Sequence, residues 1–356
     1  MTSQANASQK IEFGSDRRVP AEWEPQECVW ISWPHKQATW PGRFEVIPAF
    51  FTMWASIIAE STPVRVLAGT EFAGDCAKRL GTHRNIELID IPTDDCWIRD
   101  YGPTFVLEHA DTHLSLVDWQ YNAWGGKYPP WDADAAVCKR IGEELNLSRA
   151  VSDLVVEGGA LEFDGRGRLL TTPSCLLADT RNPRLDATNV AQELHRLTGA
   201  TEIVWLDGGG LEGDDTDGHI DQLARFIDAE NIVACVSNYA HDRHSWGLKN
   251  NFRQLRAWAD TTVPKPEVHE LPIPEIRRIR GQPIPQSYCN FLRLGTDCLL
   301  VPQFNEPEDD YAAGLLRELT GAQVRQIDCS DLAWGLGALH CASRDQPKPR
   351  PVEVMS

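Results

Sequence analysis

One unit recurs along the chain. Helix-like segments with apolar residues three and four apart appear five times, as "VIPAFFTMWASIIAES", "DADAAVCKRIGEELNL", "DATNVAQELHRLTG", "NNFRQLRAWAD" and "DDYAAGLLRELTG". Most are followed by a short apolar strand: "VRVLA", "EIVWLD", "VHELP", "VRQID". Two short strands joined by a turn come next. The clearest pair is "GGALEFDGRGRLLTT", turning at "DGRG"; "HIDQLARFIDAENIVACV", "YCNFLRLGTDCLLVPQF" and "GPTFVLEHADTHLSLVDW" turn at "DAEN", "GTD" and near "HADT". A fifth pair requires "GALHCAS", near the C-terminus, to lie beside "CVWISWP", near the N-terminus. The expectation is an α/β chain of helix, strand and strand-pair units, each about 50 to 70 residues long, arranged around an axis and closed by its own ends.

With 356 residues the chain is long enough to bury a sizeable core without staples. The expected organisation is one domain over residues 19–346, with a loose tail at 1–18 and another at 347–356, the latter rich in Pro and charge. A net charge of −18 argues against nucleic acid and anionic membrane as partners, because phosphate binding needs clustered Lys and Arg. The ten cysteines are scattered, with no CxxC pair, which points to cytosolic thiols and a cytoplasmic location. The first twenty residues have no apolar h-region, and no run of about 18 apolar residues occurs, so neither a secretory signal nor a membrane span is expected.

Each strand pair is preceded by an unusual polar residue. "WIRDYGP" carries Asp100, "VVEGGAL" Glu157, "DGHIDQL" His219 and Asp221, and "GLGALHC" Cys341. In a ring of repeats, equivalent positions face a common centre. Zinc is a first candidate for such a set, but one Cys and one His without a close pair of soft ligands argue against it, so no metal is expected. Three carboxylates without a metal suit a cation, and a guanidinium fits best: planar, permanently charged, with N–H donors that match carboxylates two at a time. Asp100 and Asp221 can each grip one edge, leaving the central carbon open to a thiolate from Cys341. A free Cys titrates near roughly 8.5, and a nearby cation lowers that value. His219 can protonate departing ammonia and later deprotonate water, with Glu157 orienting the imidazole.

These stretches resemble the agmatine deiminases, members of the guanidine-modifying superfamily that also holds arginine and peptidylarginine deiminases. The resemblance runs from about Pro20 to about Ser343 through "PAEWEPQECVWISWP", "WIRDYGPTFV", "WQYNAWGGKYPPWDAD", "EGGALEFDGRGRLLTT", "DTDGHIDQLARF", "SYCNFLRLGTDCLLVPQF" and "GALHC". It implies a fivefold pseudosymmetric α/β propeller. It also implies hydrolysis of a guanidino to a ureido group with loss of ammonia, through a covalent thiouronium and without a cofactor. It makes Cys341 the nucleophile, His219 the acid/base, Glu157 its partner, Asp100 and Asp221 the guanidinium clamps, and Asp215 a carboxylate of the substrate pocket. A homodimer is also expected from the family.

Two departures concern the substrate's far end. The family pattern of three glycines, one residue, Ile, His and Cys reads "GLGALHC" here, with Leu336 and Ala338 inside it, and "WPHKQATWPGRF" also differs. Trp33, Trp40, Trp97 and Trp124 are candidates to line an alkyl channel, and Arg43 and Arg99 to meet a substrate carboxylate. The expected reaction converts agmatine to N-carbamoylputrescine, placing the chain in putrescine and polyamine synthesis. The alternatives are deimination of free or peptidyl arginine, amidino transfer to an amine, and non-catalytic binding of guanidino compounds or polyamines.

Overall fold

Parallel strands cannot be joined by a tight turn; they need a crossover of a dozen or more residues, usually a helix. That requirement sets the frame of the repeat. Over residues 8–11, 15–239 and 245–351, which the computed structural model describes, the fold is mixed α/β. Five sheets are built alike: an antiparallel pair, then a helix, then a third strand parallel to the second.

Thr104–Glu108 and His113–Gln120 pair, the helix Val137–Glu144 follows, and Ser148–Val155 returns parallel to His113–Gln120. The same order links Glu162–Phe163, Arg168–Thr171, the helix Ala187–Thr198 and Glu202–Trp205. It recurs in Ala224–Phe226, Asn231–Val236, the helix Ser245–Ala259 and Glu267–Pro272, and in Leu292–Leu294, Cys298–Gln303, the helix Asp309–Thr320 and Gln323–Asp328. The fifth sheet joins the chain's two ends: Ser343–Pro347 runs antiparallel to Gln26–Ser32, and Val64–Leu67 returns after the helix Ile47–Ala59. The folded unit is thus strand pair, helix, strand, the expected order read from a different starting element.

Amphipathic spacing seats each crossover helix. In Ile47–Ala59, Phe50, Phe51, Trp54, Ala55 and Ile58 are buried on one face. Each large apolar side chain on such a face contributes roughly 1.5–3 kcal/mol.

Three elements differ from those expected. "GALHCAS" is not a strand; the strand starts at Ser343, because Asn290 Oδ1 accepts the backbone N–H groups of His340 and Cys341 and takes those donors from any ladder. The helix Thr70–Leu80 and strand Ile86–Ile89 extend the fifth sheet beyond the repeat. Within the span expected as an N-terminal tail, Ser8–Lys10 adds to Glu202–Trp205 and Arg17–Arg18 adds to Thr104–Glu108. At the other end Lys348 and Arg350 donate backbone bonds to Pro25 and Asp111. Residues 1–7, 12–14 and 352–356 of the expected tails lie outside the described residues. Among the described residues no helix is long and apolar enough to cross a membrane.

Candidate active site

Each of the five antiparallel pairs is entered through a short helical turn or tight loop, and these segments carry the polar residues. Asp100 sits in Ile98–Tyr101, Glu157 caps Gly158–Ala160, His219 caps Ile220–Gln222, which holds Asp221, and Cys341 precedes Ser343–Pro347. Successive turns pack on one another. The remaining sheet is entered through Tyr288–Asn290, and it supplies a residue absent from the sequence-derived set: Asn290. Its Nδ2 lies 3.1 Å from the Cys341 sulfur while its Oδ1 holds the Cys341 N–H at 3.2 Å. The repeat offered a signal for it, since Asn290 stands before its strand pair as the others do.

Asp221 Oδ2 is 3.6 Å from the Cys341 sulfur and accepts from His340 Nδ1 at 2.7 Å. His340 Nε2 reaches Glu22 at 2.7 Å, and Glu22 is paired in turn with Arg225 at 2.5 Å and Arg99 at 3.1 Å. Burial would raise the Asp221 carboxyl, but His340 first, then His219 and Arg225, hold it below its ordinary value. Its Oδ1 is buried without a partner and free to receive a ligand N–H.

Asp100 is fixed by the Gly159 N–H at 2.9 Å and the Trp124 indole N–H at 2.9 Å. Burial is the main cause that pushes it up to about 6; His219 opposes the rise and Asp221 adds to it. His219 is fully buried, Nδ1 lying 3.5 Å from Asp100 and Nε2 3.8 Å from Glu157. Burial alone would neutralise the imidazole, yet Asp100, Cys175 and Glu157 together raise it well above its ordinary range. Glu157 forms a fully buried ion pair with Arg181 Nε at 2.8 Å. Despite burial, which would raise it, His219 and Arg181 bring the Glu157 carboxyl down to about 2.

Cys341 is 4% exposed. Its thiol is pushed well up, by burial first and then by Asp221 and Asp100. Without a cationic ligand the sulfur is therefore protonated, and a guanidinium seated on the two acids removes both repulsions.

Gly159 is required by close approach. A Cβ there would lie 2.7 Å from Asp100 Oδ1, 2.7 Å from His219 Nδ1 and 3.1 Å from Asp221 Oδ2. Gly159→Ala is expected to lower kcat/KM by about 10²-fold through sub-ångström displacement of these groups, with an unchanged circular dichroism spectrum. A wild-type rate would show that the three groups need no such fit.

A cavity of about 570 Å3 opens above Cys341 and Asp100. Of the expected channel residues, Trp97 and Trp124 line it, as does Asp215, which accepts from the Tyr128 hydroxyl. Trp33 and Trp40 do not line it. Trp33 follows a central strand and is buried in the core, and Trp40 is buried with its indole N–H on the Leu332 carbonyl. Arg99 is buried against Glu22 and Asp345, and Arg43 pairs on the surface with Asp331, so neither is placed among the lining residues. The lining cations are Lys36 and Arg280. Leu336, where the family pattern has glycine, holds φ +70° and lines the wall beside Trp334. Its neighbours Gly335 and Gly337 admit no Cβ, because Trp40 and Trp97 stand within 2.6 to 2.9 Å of where one would sit.

Among the described residues two groups have the donor types for a metal: Glu157, Cys175 and His219, and Glu22, Glu162 and His340. In the second group both carboxylates pair with Arg225 and the histidine bridges Asp221 and Glu22. Cys175 and Arg181 had no distinguishing sequence signal.

The sequence matches the model of the Porphyromonas-type peptidyl-arginine deiminase family over residues 18–347. An agmatine deiminase of Pseudomonas aeruginosa is 32% identical over 357 residues, covering 94% of this chain and 96% of that protein. The C. jejuni agmatine deiminase, solved with substrate bound, has a TM-score of 0.86 at 28% identity, covering 94% of this chain and 97% of that one. An agmatine deiminase of Enterococcus faecalis has a TM-score of 0.85 at 28% identity, covering 96% and 99%.

Proposed function

The chain belongs to the Porphyromonas-type peptidyl-arginine deiminase family, and from that premise we propose that it hydrolyses agmatine to N-carbamoylputrescine and ammonia. The observation that carries the reading is the pair of acids at the cysteine. Cys341 and Asp100 line the cavity, and Asp221, buried behind the lining, stands 3.6 Å from the sulfur.

The chemistry follows from the residues in place. The guanidinium docks between Asp100 and Asp221, and its charge lets the Cys341 thiol give its proton to solvent through the open cavity and react as the thiolate. The sulfur attacks the central carbon, forming a C–S bond. The His219 imidazolium gives its proton to one nitrogen, and the C–N bond breaks to release ammonia, leaving a thiouronium on Cys341. The neutral imidazole then takes a proton from water as its oxygen adds to the same carbon. As the C–S bond breaks, the remaining O–H proton passes to the departing sulfur, which restores the Cys341 thiol, and the ureido product leaves. Glu157, locked to Arg181, holds the imidazole and favours its charged form through both cycles.

This reading takes residues 19–346 as one catalytic unit and the five like-built sheets as blades of a fivefold α/β propeller, on the strength of their common strand order. Ammonia and ureido product should appear from agmatine at an undiminished rate with a strong chelator present; loss of activity under chelation would overturn the mechanism. Free arginine is the competing substrate, because Arg280 lines the cavity, its guanidinium 5.7 Å from the Trp334 ring centroid, where a carboxylate could meet it. The ratio of kcat/KM on agmatine and arginine decides between them.

A further inference from the structure

The buried thiol of Cys175 forms no bond to the substrate in that reaction. It lies 3.4 Å from Glu157 Oε2, and the same oxygen is 3.8 Å from His219 Nε2. The three ligand atoms all fall within 4.8 Å of one another, and all three residues are fully buried. Neither His219 ring nitrogen makes a hydrogen bond of ordinary length, and Nε2 faces the Glu157 carboxylate across 3.8 Å on the side where Cys175 lies. A tetrahedral zinc ion with bonds of about 2.0–2.3 Å sets its ligands roughly 3.3–3.7 Å apart, close to the spacing found here. Arg181 occupies the other Glu157 oxygen, Oε1, and leaves Oε2 available. The chemistry is selective as well. A thiolate, an imidazole and a carboxylate suit zinc or cobalt, whereas magnesium and calcium prefer oxygen alone. The second donor group has no sulfur, and Arg225 already meets its acids.

We propose that Glu157, Cys175 and His219 form a binding site for a soft divalent cation, with zinc as the physiological candidate, and that its occupation switches the enzyme off. Binding displaces the Cys175 thiol proton and the His219 imidazolium proton, so two protons leave as the metal–sulfur and metal–nitrogen bonds form. The cluster's net charge is unchanged by the exchange, because the two departing protons carry away the charge that the ion brings, while Arg181 stays paired with Glu157 Oε1. His219 can neither protonate ammonia nor accept a proton from water while the metal holds Nε2.

The test uses the full chain with cobalt(II), whose bond to a thiolate gives a near-ultraviolet charge-transfer band. One equivalent should produce the band in the wild type and in Cys341→Ser, and none in Cys175→Ser. A band that survives Cys175→Ser, or that is missing from the wild type or from Cys341→Ser, overturns the site. Should Cys175→Ser fail to fold, His219→Asn in the Cys341→Ser background replaces it, where a persistent band overturns the site equally. In the activity arm, the zinc concentration for half-inhibition should rise roughly tenfold or more in Cys175→Ser, measured against that variant's own metal-free rate. Outer partners of metal ligands alone are worth about that much. Unchanged inhibition would overturn the switch. That arm rests on the deiminase reading and the spectral arm does not, so the two can fail separately.

Discussion

Cys341→Ala is expected to bring turnover of agmatine to background while leaving its binding intact. The sulfur forms and breaks the only covalent bond to the substrate in the proposed cycle, so no residual path remains through it. The residues proposed to hold the cation do not depend on the thiol. Asp100 is fixed by Gly159 and Trp124, and Asp221 by His340. Calorimetric titration of the variant should therefore give a Kd close to the wild-type value, and the quench-flow signal of a covalent species should vanish. Since burial, Asp221 and Asp100 push this thiol well up, the wild type should also react slowly with a neutral alkylating agent at neutral pH. Ammonia release by Cys341→Ala above about 1% of wild type would mean another nucleophile, and Cys175 would be the first to substitute.

Much of this site was readable because the fold repeats. Asp100, Glu157, His219, Asp221 and Cys341 are far apart in sequence, but each stands at the entrance to an equivalent strand pair, and the repeat carries that position to one place. Asn290 obeys the same rule and was still overlooked. An amide has no charge or pKa to announce it, and its worth lies in the two directions its side chain faces, toward the Cys341 sulfur and backbone. Arg181 and His340 act through partners, Glu157 and Asp221, so only the folded chain reveals them. The tryptophans divide for another reason. Trp33 and Trp124 are equally apolar in sequence, but one follows a central strand into the core and the other stands at φ +56° with its indole on Asp100. The helix Thr70–Leu80 carries Phe72, Cys76 and Leu80 at helical spacing, a legible stripe that the repeat pattern leaves out because this helix lies beyond the common unit. The ends of the chain are the last case. Arg17–Arg18 look like solvated charges, yet they add an edge strand, and Arg18 is held by Glu24 and Asp111.

His219→Asn should lower kcat by about 10²- to 10⁴-fold, the usual worth of a general acid–base, and should also move the acid limb of the kcat/KM profile. The direction of that movement is fixed by the pairing. In the wild type Asp100 is pushed up to about 6, chiefly by burial, with the His219 imidazolium at 3.5 Å opposing the rise. Below about pH 6 the carboxyl takes a proton, the clamp loses its charge, and kcat/KM falls. Removing the imidazolium removes the group that holds the carboxylate ionised, so the pKa of Asp100 goes further up and the acid limb shifts to higher pH. Asparagine keeps roughly the volume of the ring's inner half and carries no charge at any pH, so a shift cannot come from the new side chain's own titration. Asp100→Asn should instead abolish that limb, because the titrating group is gone, and should raise KM. If the limb stayed at the same pH in His219→Asn, Asp100 and His219 would not be electrostatically coupled. The proposed division of labour, in which one acid grips the substrate while its histidine neighbour moves the protons, would then fail.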